Sequence, residues 1–487
     1  MSGSQSSHAT DIEAQLQVLR SSLTVQVPYT GGVYPVKAED LIIYYDSGEN
    51  GSRRIDLGKA TEDDLANLTA TCQKATFGVG GADILDESYR KAGKMDLGKF
   101  AACFDVSGLL ETVVPEILQG QSINDDKFLK AELYRLNVYG PGSFFKAHKD
   151  TPRSEDMIGS LVVVFPTIHA GGTLTLEHNG KSWVFDSAAE LASSNTPSLA
   201  YIAFYSDVTH AVDPVQTGYR VTLTYNLFLA DRHTATSPGQ RHLPAPEQAF
   251  EDAMHTLLAS PTFLPTGGFL AFGLTHQYPF PAPAKPERVN RKLVMPPTRL
   301  GSVLRLLKGS DARIRTLSEH VGLSTHVKVL YESVSESSRY GLEYVIKDGK
   351  DVLADDVLSM DHVYDEGDFS LKNAIEGFGL VVQRRPEHME ELQQKYTEYR
   401  ELGYLRHAEK MVEVKAPAGE EVPVHWVTKI TDLNRVDSSY LAYGNEAQIA
   451  YVYGNAALFV QVPPPRGRRP RARCARSGVE GDIPDRI

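Results

Sequence analysis

Cysteine is scarce in this sequence, and the few cysteines are scattered: Cys72, Cys103 and Cys474 among 487 residues. Without a Cys-x-x-Cys pair, neither a thiolate zinc site nor a disulfide framework is expected, and the composition fits a reducing compartment. The sequence also lacks a run of about 18 apolar residues that could span a membrane. Its opening stretch, MSGSQSSHAT, has no apolar signal core. These absences predict a cytoplasmic or nuclear protein that has no membrane partner.

A surplus of basic residues is missing as well. Lys and Arg number 50 against 62 Asp and Glu, so the formal net charge is −12. This charge argues against a general attraction to nucleic acid or to anionic membranes, and nucleic acid is not an expected partner. Hydrophobic residues make up 41% and charged residues 23%, which is typical of a soluble globular protein. The length is sufficient for two or three domains.

Changes of composition along the chain predict its organisation. We expect disorder at 1–9, a flank of helices and strands at 10–130, a β-rich core at 131–230, a polar linker at 231–247, a second α+β region at 248–462 and a disordered Arg- and Pro-rich tail at 463–487. The arginines that crowd the tail are Arg466, Arg468, Arg469, Arg471, Arg473 and Arg476. A solvated end is the plainer interpretation, and a nuclear-localisation or RNA-binding patch is the alternative.

The core region has the pattern of an all-β unit. Short β-rich runs are separated by turn residues, at 131–139, 160–166, 173–177, 182–186, 199–206 and 219–229. Between two of them, Asn179-Gly180 predicts a hairpin, because Asn-Gly accepts the positive φ angles of a tight type I′ turn. Strands at this spacing favour a sandwich, a barrel or a jelly roll.

Helical patterns surround this core. A capping-box pattern predicts a helix from Thr10, with Glu13 three residues on, and Thr61 opens another helix. Further helices are expected at 107–118, 247–259, 298–308, 311–320 and 387–402. Strands are expected within GGFLAFGLTHQYPF, THVKVLYESV and AQIAYVYGNAALFVQV. The predicted fold class is therefore α+β.

Two ionisable residues, His148 and Asp150, stand shortly before the apolar run SLVVVFP. In an extended chain residues i and i+2 point to the same face, so this imidazole and this carboxylate can aim at a common point. They supply two thirds of a two-His-one-carboxylate facial triad, which holds Fe(II) and leaves coordination positions open. Alone the pair is weak evidence, since a chain with 15 His is expected to contain roughly one by chance.

A third ligand and an anion-binding group follow downstream. His210 lies in the polar turn SDVTHAVDPVQTG. From residue 220 the chain alternates, with Arg220, Thr222, Thr224 and Asn226 on one face and apolar residues on the other. A lone arginine at the start of a half-buried strand needs an anion, and its planar fork suits a carboxylate. Thr222 adds a hydroxyl on the same face.

The order of these residues resembles the 2-oxoglutarate- and Fe(II)-dependent dioxygenase superfamily, particularly its prolyl-4-hydroxylase-like branch. There, a Tyr in a Tyr-x-Pro-Gly turn precedes the His-x-Asp pair, and a Gly-Gly turn follows the next strand. Here YGPG at 139–142 precedes His148, and GGT at 171–173 follows SLVVVFP. The match covers roughly residues 131–230. The segments ATFGVGG, DESYRKA and AYGNEAQIAYVY are also similar to uncharacterised fungal members.

The resemblance implies a catalytic core that is a double-stranded β-helix (jelly roll), with flanking helices and the second α+β region after it. The implied site residues are, for the iron and catalysis, His148, Asp150 and His210, and, for 2-oxoglutarate, Arg220, Tyr139 and Thr222. Prolyl hydroxylases usually carry Lys where Arg220 stands. The pattern therefore supports cosubstrate binding but does not support proline as the substrate.

The implied activity is hydroxylation of a small-molecule or peptide substrate. It uses Fe(II), 2-oxoglutarate and O2, releases succinate and CO2, and takes ascorbate as the reductant. Two alternatives stay open: a catalytically inactive jelly roll that binds protein, and a zinc hydrolase. A vestigial site would not take up iron, and a zinc hydrolase would not need Arg220.

Some polar and aromatic residues near the core have more than one interpretation. Arg153 either contacts an anionic substrate near the iron or pairs with Glu155 or Asp156. Trp183 is predicted to be a core residue rather than a platform for substrate.

The remaining histidines receive structural interpretations. His169 and His178 are predicted to be solvated turn residues. In GLTHQYP, Tyr278 stands where a second acid would be needed beside His276. We therefore expect the region after residue 248 to have a structural or substrate-shaping role.

Overall fold

The computed structural model describes residues 3–23, 27–48, 51–79, 82–118, 127–231, 245–280, 287–289, 292–294, 299–332, 351–357, 364–365, 368–369, 379–401, 421–442 and 448–468. The helices are α1 (Gly3–Ser22), α2 (Glu62–Thr71), α3 (Ser107–Ile117), α4 (Ser187–Ala192), α5 (Ala245–Ala259), α6 (Arg299–Arg305), α7 (Gly309–His320) and α8 (Pro386–Glu401). Among these described helices, none is long and apolar enough to cross a membrane.

The strands fall into two groups along the chain. The first group is β1 (Tyr29–Pro35), β2 (Ile42–Asp46), β3 (Ser52–Asp56), β4 (Gln73–Lys74), β5 (Phe77–Val79), β6 (Ala82–Ile84), β7 (Arg90–Lys91), β8 (Gly93–Asp96), β9 (Phe100–Ala102), β10 (Lys127–Tyr139), β11 (Phe144–His148), β12 (Met157–Val164), β13 (His169–Gly171), β14 (Leu174–His178), β15 (Lys181–Phe185), β16 (Ser198–Tyr205), β17 (Thr209–Val212), β18 (Val215–Gly218) and β19 (Arg220–Asp231). The second group is β20 (Gly268–Gly273), β21 (Glu287–Val289), β22 (Lys292–Val294), β23 (Ser324–Tyr331), β24 (Asp351–Ala354), β25 (Tyr364–Asp365), β26 (Asp368–Phe369), β27 (Gly379–Val382), β28 (Val424–Trp426), β29 (Arg435–Ala442) and β30 (Gln448–Val462).

Two antiparallel sheets pack around one hydrophobic core in the first half of the chain and form a double-stranded β-helix. The larger sheet has the order β1-β16-β12-β19-β10-β8-β4, and the smaller has the order β15-β14-β17-β11-β7. Val163 of the larger sheet and Leu176 of the smaller are both buried in this core. The jelly-roll core and the α+β class are as predicted.

Strands from outside residues 131–230 complete both sheets. In the larger sheet β1 pairs with β16 and β8 pairs with β10, and in the smaller sheet β7 pairs with β11. The predicted boundary at residue 131 therefore runs through one folded unit. Strand pairing joins segments that are distant in sequence, and local patterns cannot show these connections.

Predictions that depend on turn and capping chemistry agree with the structure. Asn179 and Gly180, with φ angles of 50° and 71°, form the turn between β14 and β15. The Thr61 side chain accepts a hydrogen bond from the backbone N–H of Asp64, and the Asp64 carboxylate accepts one from the backbone N–H of Thr61.

Helix α1 starts earlier than predicted, at Gly3 rather than Thr10. Residues 3–9, which were expected to be disordered, are helical in this structure. Once a helix has formed, each added residue gains a hydrogen bond while only its own backbone is ordered. The polar residues before Thr10 can extend the helix for this reason.

Helix α1 also packs against the C-terminal region rather than the N-terminal flank. Leu16 and Leu19 lie in the same hydrophobic core as Phe250 of α5. Arg20 donates hydrogen bonds to the backbone carbonyls of Trp426 and Val427. The amphipathic pattern of the helix predicts a buried face, but it does not identify the partner of that face.

The C-terminal region is built on a mixed sheet of order β27-β24-β23-β30-β20-β28, in which β29 also pairs with β30. Strands β20 and β28 are parallel, whereas β20 and β23 each run antiparallel to β30. Helices α1, α5, α6 and α7 contribute to the main core beside this sheet.

The predicted linker and the predicted tail border this region at its two ends. Strand β19 ends at Asp231 and α5 begins at Ala245, so most of the predicted linker 231–247 lies outside the described residues. The predicted tail begins with ordered structure, because a 3₁₀ helix spans Pro465–Gly467.

Arg468 attaches this part of the tail to the end of α5. Its guanidinium donates hydrogen bonds to the backbone carbonyls of Leu258 and Ser260 at 2.9 and 3.1 Å. The last carbonyls of a helix have no partner within the helix, which explains why the arginine binds there. Residues 463–468 of the predicted disordered tail thus have a defined placement in this structure, and 469–487 lie outside the described residues.

Candidate active site

The pairing of β11 with β17 brings the sequence-predicted metal ligands together. His148, the last residue of β11, lies opposite His210 of β17, and their ring centroids are 4.2 Å apart. Asp150 follows β11 by two residues, and its Oδ1 is 3.8 Å from His210 Nε2. Each of the three side chains offers a ligand atom within 4.8 Å of the others. The three therefore share one point, as a facial triad requires.

Backbone carbonyls orient both imidazoles. His148 Nδ1 lies 2.8 Å from the carbonyl oxygen of Lys146, and His210 Nδ1 lies 3.1 Å from that of Val208. Each Nδ1 must carry the proton to donate this bond, which leaves the Nε2 lone pair available for a metal.

Ser160 orients the carboxylate. Its hydroxyl donates a hydrogen bond to Asp150 Oδ2 at 2.5 Å, so Oδ1 is left to face the histidines. This serine was not among the site residues predicted from the sequence. The available signal was a polar residue in the otherwise apolar strand β12, where it is only 3% exposed.

The surroundings of the triad keep His148 uncharged. Burial, reinforced by the neighbouring His210, lowers the pKa of His148 to about 3. Its ring stacks on Phe145 at a centroid distance of 3.6 Å, and the ring of Phe204 lies 4.5 Å from that of His210. Only the neutral imidazole can bind a metal, so this environment favours the form that a metal site needs.

Arg220 is completely enclosed, and part of its guanidinium is unpaired. The residue is 1% exposed, and its Nε and Nη2 atoms have no hydrogen-bond partner among the described residues. Burial lowers the pKa of Arg220, yet a guanidinium stays charged in proteins. A buried cation without an anion is costly, which indicates that a ligand completes this site.

The other two residues predicted to bind the cosubstrate lie near Arg220. Tyr139 lies opposite Arg220 in the pairing of β10 with β19, and its ring centroid is 5.7 Å from the guanidinium carbon. Thr222 is 1% exposed and follows on the same face of β19. Together with the triad, Arg220, Tyr139 and Thr222 line one cavity of about 620 Å³.

Arg153 and Trp183 are placed differently with respect to this cavity. Arg153 lines the cavity, and its Nη2 donates a 2.5 Å hydrogen bond to the hydroxyl of Tyr134, not to Glu155 or Asp156. Trp183 packs at the margin of the core, edge-on to Tyr29. The prediction for Trp183 as a packed residue agrees with this position.

The prediction that His169 and His178 are solvated is wrong. The Nδ1 atom of His169 lies 2.7 Å from the carbonyl oxygen of Thr167, and burial lowers the pKa of His169. His178 Nε2 lies 3.2 Å from Asp207 Oδ2, and the His178 side chain is only 10% exposed. Both histidines lie in strands that reverse at tight turns, and their exposure depends on what packs over the turn.

Asp207 is the acid that the sequence analysis did not find near His276. The His276 Nδ1 atom and the Lys308 Nζ atom lie 3.1 and 3.0 Å from the Asp207 carboxylate. Burial raises the pKa of Asp207, but His276, Lys308 and His178 outweigh it and hold this pKa well below its usual value. The acid comes from the turn between β16 and β17, far from His276 in sequence. Because the Lys308 ammonium neutralises it, the cluster is an internal ion network rather than a cation site.

A third cluster of the same kind lies within the C-terminal region. His388 Nδ1 is 3.3 Å from Asp351 Oδ2 and 3.6 Å from Glu332 Oε1. Arg385 donates a 2.9 Å hydrogen bond from Nε to Glu332. Arg384 Nε lies 3.6 Å from Asp351 Oδ1, so each of the two carboxylates faces an arginine of the protein and the cluster is already neutralised.

Most polar residues on the rest of the cavity wall were not predicted as site residues. They include Arg90, Tyr134, Arg135, Asn137 and Lys149, whereas Thr224 and Asn226 were predicted to share the face of Arg220. They come from β7, β10, β19 and the segment after β11. No local motif connects these segments, so the alternation along β10 and β19 was the one available signal.

The fold and the site define an oxidoreductase with a jelly-roll core and a two-His-one-carboxylate centre. The sequence model of the 2OG-Fe(II) oxygenase superfamily matches residues 134–228. This segment is similar to that superfamily, whose members use Fe(II), 2-oxoglutarate and O2, and the protein is an oxidoreductase of the dioxygenase type. The comparison with curated proteins gave no match.

Three solved structures are similar to about half of the chain. A prolyl-4-hydroxylase from Pseudomonas putida is 16% identical, with 44% of this chain and 99% of that chain covered and a TM-score of 0.27. A prolyl hydroxylase from Trichoplax adhaerens, in complex with a hypoxia inducible factor oxygen degradation domain peptide fragment, is 16% identical, with 45% and 92% covered and a TM-score of 0.26. An oxidoreductase of the 2OG-Fe(II) oxygenase family from Burkholderia pseudomallei is 16% identical, with 46% and 94% covered and a TM-score of 0.22.

Proposed function

We propose that this protein hydroxylates a substrate while 2-oxoglutarate is converted to succinate and CO2. In this proposal His148, Asp150 and His210 hold Fe(II), and Arg220 holds the distal carboxylate of 2-oxoglutarate. The observation that carries the proposal is the buried, partly unpaired guanidinium of Arg220 in the same cavity as the three ligand side chains. A metal site alone would not need this cation.

The residues present fit the two groups. Two neutral imidazoles and one carboxylate leave a ferrous centre with a net positive charge, which favours binding of an anionic 2-oxo acid. When bound, Fe(II) and 2-oxoglutarate supply the oxidising chemistry with O2. Arg220 orients the cosubstrate through two-point contact with its distal carboxylate, and the hydroxyls of Tyr139 and Thr222 donate to the same group.

The apolar side chains of the cavity have a separate role. Val162, Leu174, Phe204 and Val212 line the cavity beside the triad. By excluding water they strengthen each charged contact made inside. They also protect a reactive centre from side reactions.

The first test is turnover by the full-length protein with Fe(II), 2-oxoglutarate and ascorbate, the expected reductant. We expect release of succinate, and we expect His148→Ala or Asp150→Ala to abolish it because two ligands do not retain the iron. Iron content after anaerobic reconstitution is measured in parallel. A protein that stays free of iron would be an inactive binding module, and an iron-loaded His148→Ala variant with full turnover would contradict the assignment.

The second test examines Arg220. We expect Arg220→Ala to raise the KM for 2-oxoglutarate by about a hundredfold or more, because a buried charge pair loses one partner. The matched control is Arg54→Ala, which removes an exposed arginine on β3. A zinc hydrolase would be insensitive to Arg220→Ala, so unchanged activity in this variant would reject the dioxygenase mechanism.

A further inference from the structure

The cavity extends well beyond the part that 2-oxoglutarate would occupy. Along β19, Arg220, Thr222, Thr224 and Asn226 all line it. Strands rise about 3.3 Å per residue, so Asn226 lies about 20 Å along the strand from Arg220. A five-carbon cosubstrate bound at Arg220 leaves this outer part for another molecule.

The outer part of the cavity is strongly cationic. Arg90, Arg135, Lys149 and Arg153 line the cavity, and among the described lining residues Asp150 is the one carboxylate. The charges of Fe(II), Asp150, Arg220 and dianionic 2-oxoglutarate cancel, and Arg135 is paired with Asp96, so the charges of Arg90, Lys149 and Arg153 are left without a carboxylate partner among the described residues. The whole chain carries a net charge of −12, and the cavity therefore has the opposite sign to the protein.

Of these four cations, only Arg135 has a carboxylate partner, Asp96 at 2.8 Å. The other three, Arg90 among them, donate to neutral groups. Lys149 donates to the side-chain amide of Gln277 at 2.7 Å, and Arg153 donates to the phenol of Tyr134. The guanidinium groups of Arg135 and Arg153 lie 4.6 and 5.0 Å from the ring of Tyr134. Like charges in this arrangement repel each other, and a bound anion would remove the repulsion.

Arg90 places a cation close to the metal ligands. It is 8% exposed, and it donates to the backbone carbonyl of Thr76 and to Asn137 Oδ1 at 2.8 and 2.9 Å. Its Nε atom has no hydrogen-bond partner among the described residues. The guanidinium lies 4.4 Å from the ring of Phe145, which stacks on His148. A buried donor on the cavity wall is thus available to a ligand that reaches the metal centre.

We propose that the substrate is a small molecule that bears a carboxylate or phosphate group. Its anionic group binds between Arg90 and Arg153, and this places a neighbouring carbon next to the triad. Asn137, Thr224 and Asn226 supply neutral hydrogen-bonding groups for the rest of the molecule. The volume of about 620 Å³ lies in the range of small-ligand sites. This substrate class rests on the proposed dioxygenase function.

The test separates candidate substrates by charge. An ultrafiltrate of source-cell extract is divided by anion exchange into a retained and an unretained pool, and the protein fraction is kept as a third. Each is incubated with the full-length protein, Fe(II), ascorbate and 2-oxoglutarate. We expect the retained pool to stimulate succinate release and to contain a molecule that gains one oxygen. Prior phosphatase treatment identifies the anionic group. Loss of the response indicates a phosphate, and persistence of the response indicates a carboxylate.

Variants connect the response to the proposed anion site. Arg153 is exposed on a loop, so its replacement is compatible with folding. We expect Arg153→Gln to raise the KM of the active pool about tenfold or more, the loss of a charged hydrogen bond, with little change in kcat. Arg53→Gln, an exposed arginine on β3, is the matched control. An unchanged KM in Arg153→Gln overturns the proposal.

The remaining outcomes are also decisive. Stimulation by the unretained pool or by the protein fraction overturns the substrate class, and so does the absence of stimulation by any pool. Binding of Fe(II) and 2-oxoglutarate to the wild-type protein is measured first, without extract. If these do not bind, the dioxygenase proposal itself fails. If they bind and the oxidised molecule is neutral, only the substrate class fails.

Discussion

Each proposed metal ligand is held by a second polar group that leaves one donor atom free. Two of these groups are the backbone carbonyls of Lys146 and Val208, which orient His148 and His210. The third is the Ser160 hydroxyl, which holds Asp150. Backbone carbonyls are present whatever the sequence, so the serine is the one orienting group that selection can alter by a single substitution.

Ser160→Ala is therefore expected to weaken Fe(II) binding without removing a ligand. Loss of an orienting partner typically costs about tenfold or more in metal affinity. The measurement is anaerobic titration with Fe(II), or with Mn(II) as a redox-stable substitute. Ser318→Ala removes another buried serine hydroxyl, one without a partner among the described residues, and is expected to leave the affinity unchanged. Equal affinities in the two variants would show that Ser160 does not orient Asp150.

At the scale of elements, two features build the site: the register of β11 with β17, and the turn between β13 and β14. The register places His148 opposite His210. The turn contains Gly171 and Gly172, both with positive φ. A Cβ atom at Gly172 would lie 3.0 Å from Arg220 Cδ and 2.9 Å from a methyl carbon of Val215. The turn therefore needs glycine for its backbone conformation and also for its distance from the arginine.

A pair of glycine substitutions separates these two requirements. Gly172→Ala and Gly180→Ala both place alanine at a positive φ, which costs about 1 kcal/mol of stability or more. At Gly180 an added Cβ meets nothing within 4 Å, whereas at Gly172 it presses on Arg220. We expect both variants to unfold at lower denaturant concentration, and only Gly172→Ala to raise the KM for 2-oxoglutarate. A similar rise in both would indicate general loss of stability instead of displacement of Arg220.

At the scale of the whole molecule, one loop of the C-terminal region contacts both segments that carry the ligands. Gln277 accepts a hydrogen bond from Lys149, which stands between His148 and Asp150 in the chain. His276 contacts Asp207, three residues before His210. The C-terminal region therefore contacts both segments that carry the proposed metal ligands, and its structural or substrate-shaping role stays a prediction.

Asp207→Asn tests this support. The substitution leaves the Lys308 ammonium buried without its carboxylate, which is expected to cost about 3 kcal/mol or more of the free energy of unfolding. Because the turn that leads into β17 and His210 loses its anchor, Fe(II) affinity should fall as well. Denaturant unfolding and metal titration measure the two effects. Asp46→Asn, which breaks an exposed pair with Lys99, should lose far less stability. Retained Fe(II) affinity in Asp207→Asn would show that the two regions are independent at this site.

Much of the site could be predicted from the sequence because its chemistry is local. Backbone geometry over a few residues determines three of its features: the common face of His148 and Asp150, the alternation of polar and apolar residues from Arg220, and the hairpin at Asn179-Gly180. Helix boundaries were less accurate, as the start of α1 at Gly3 shows, because a helix can propagate through polar residues that carry no capping signal.

The sequence by itself determined which residue types could bind a metal and a dicarboxylate, and on which face of each strand they lie. Only the tertiary structure decided that Ser160 hydrogen-bonds to Asp150 and that Asp207 lies against both His178 and His276. It also decided that a set of cations lines the cavity. The physical reason is that strand alternation follows from local backbone geometry, whereas the contacts between strands depend on pairing and packing across long stretches of chain.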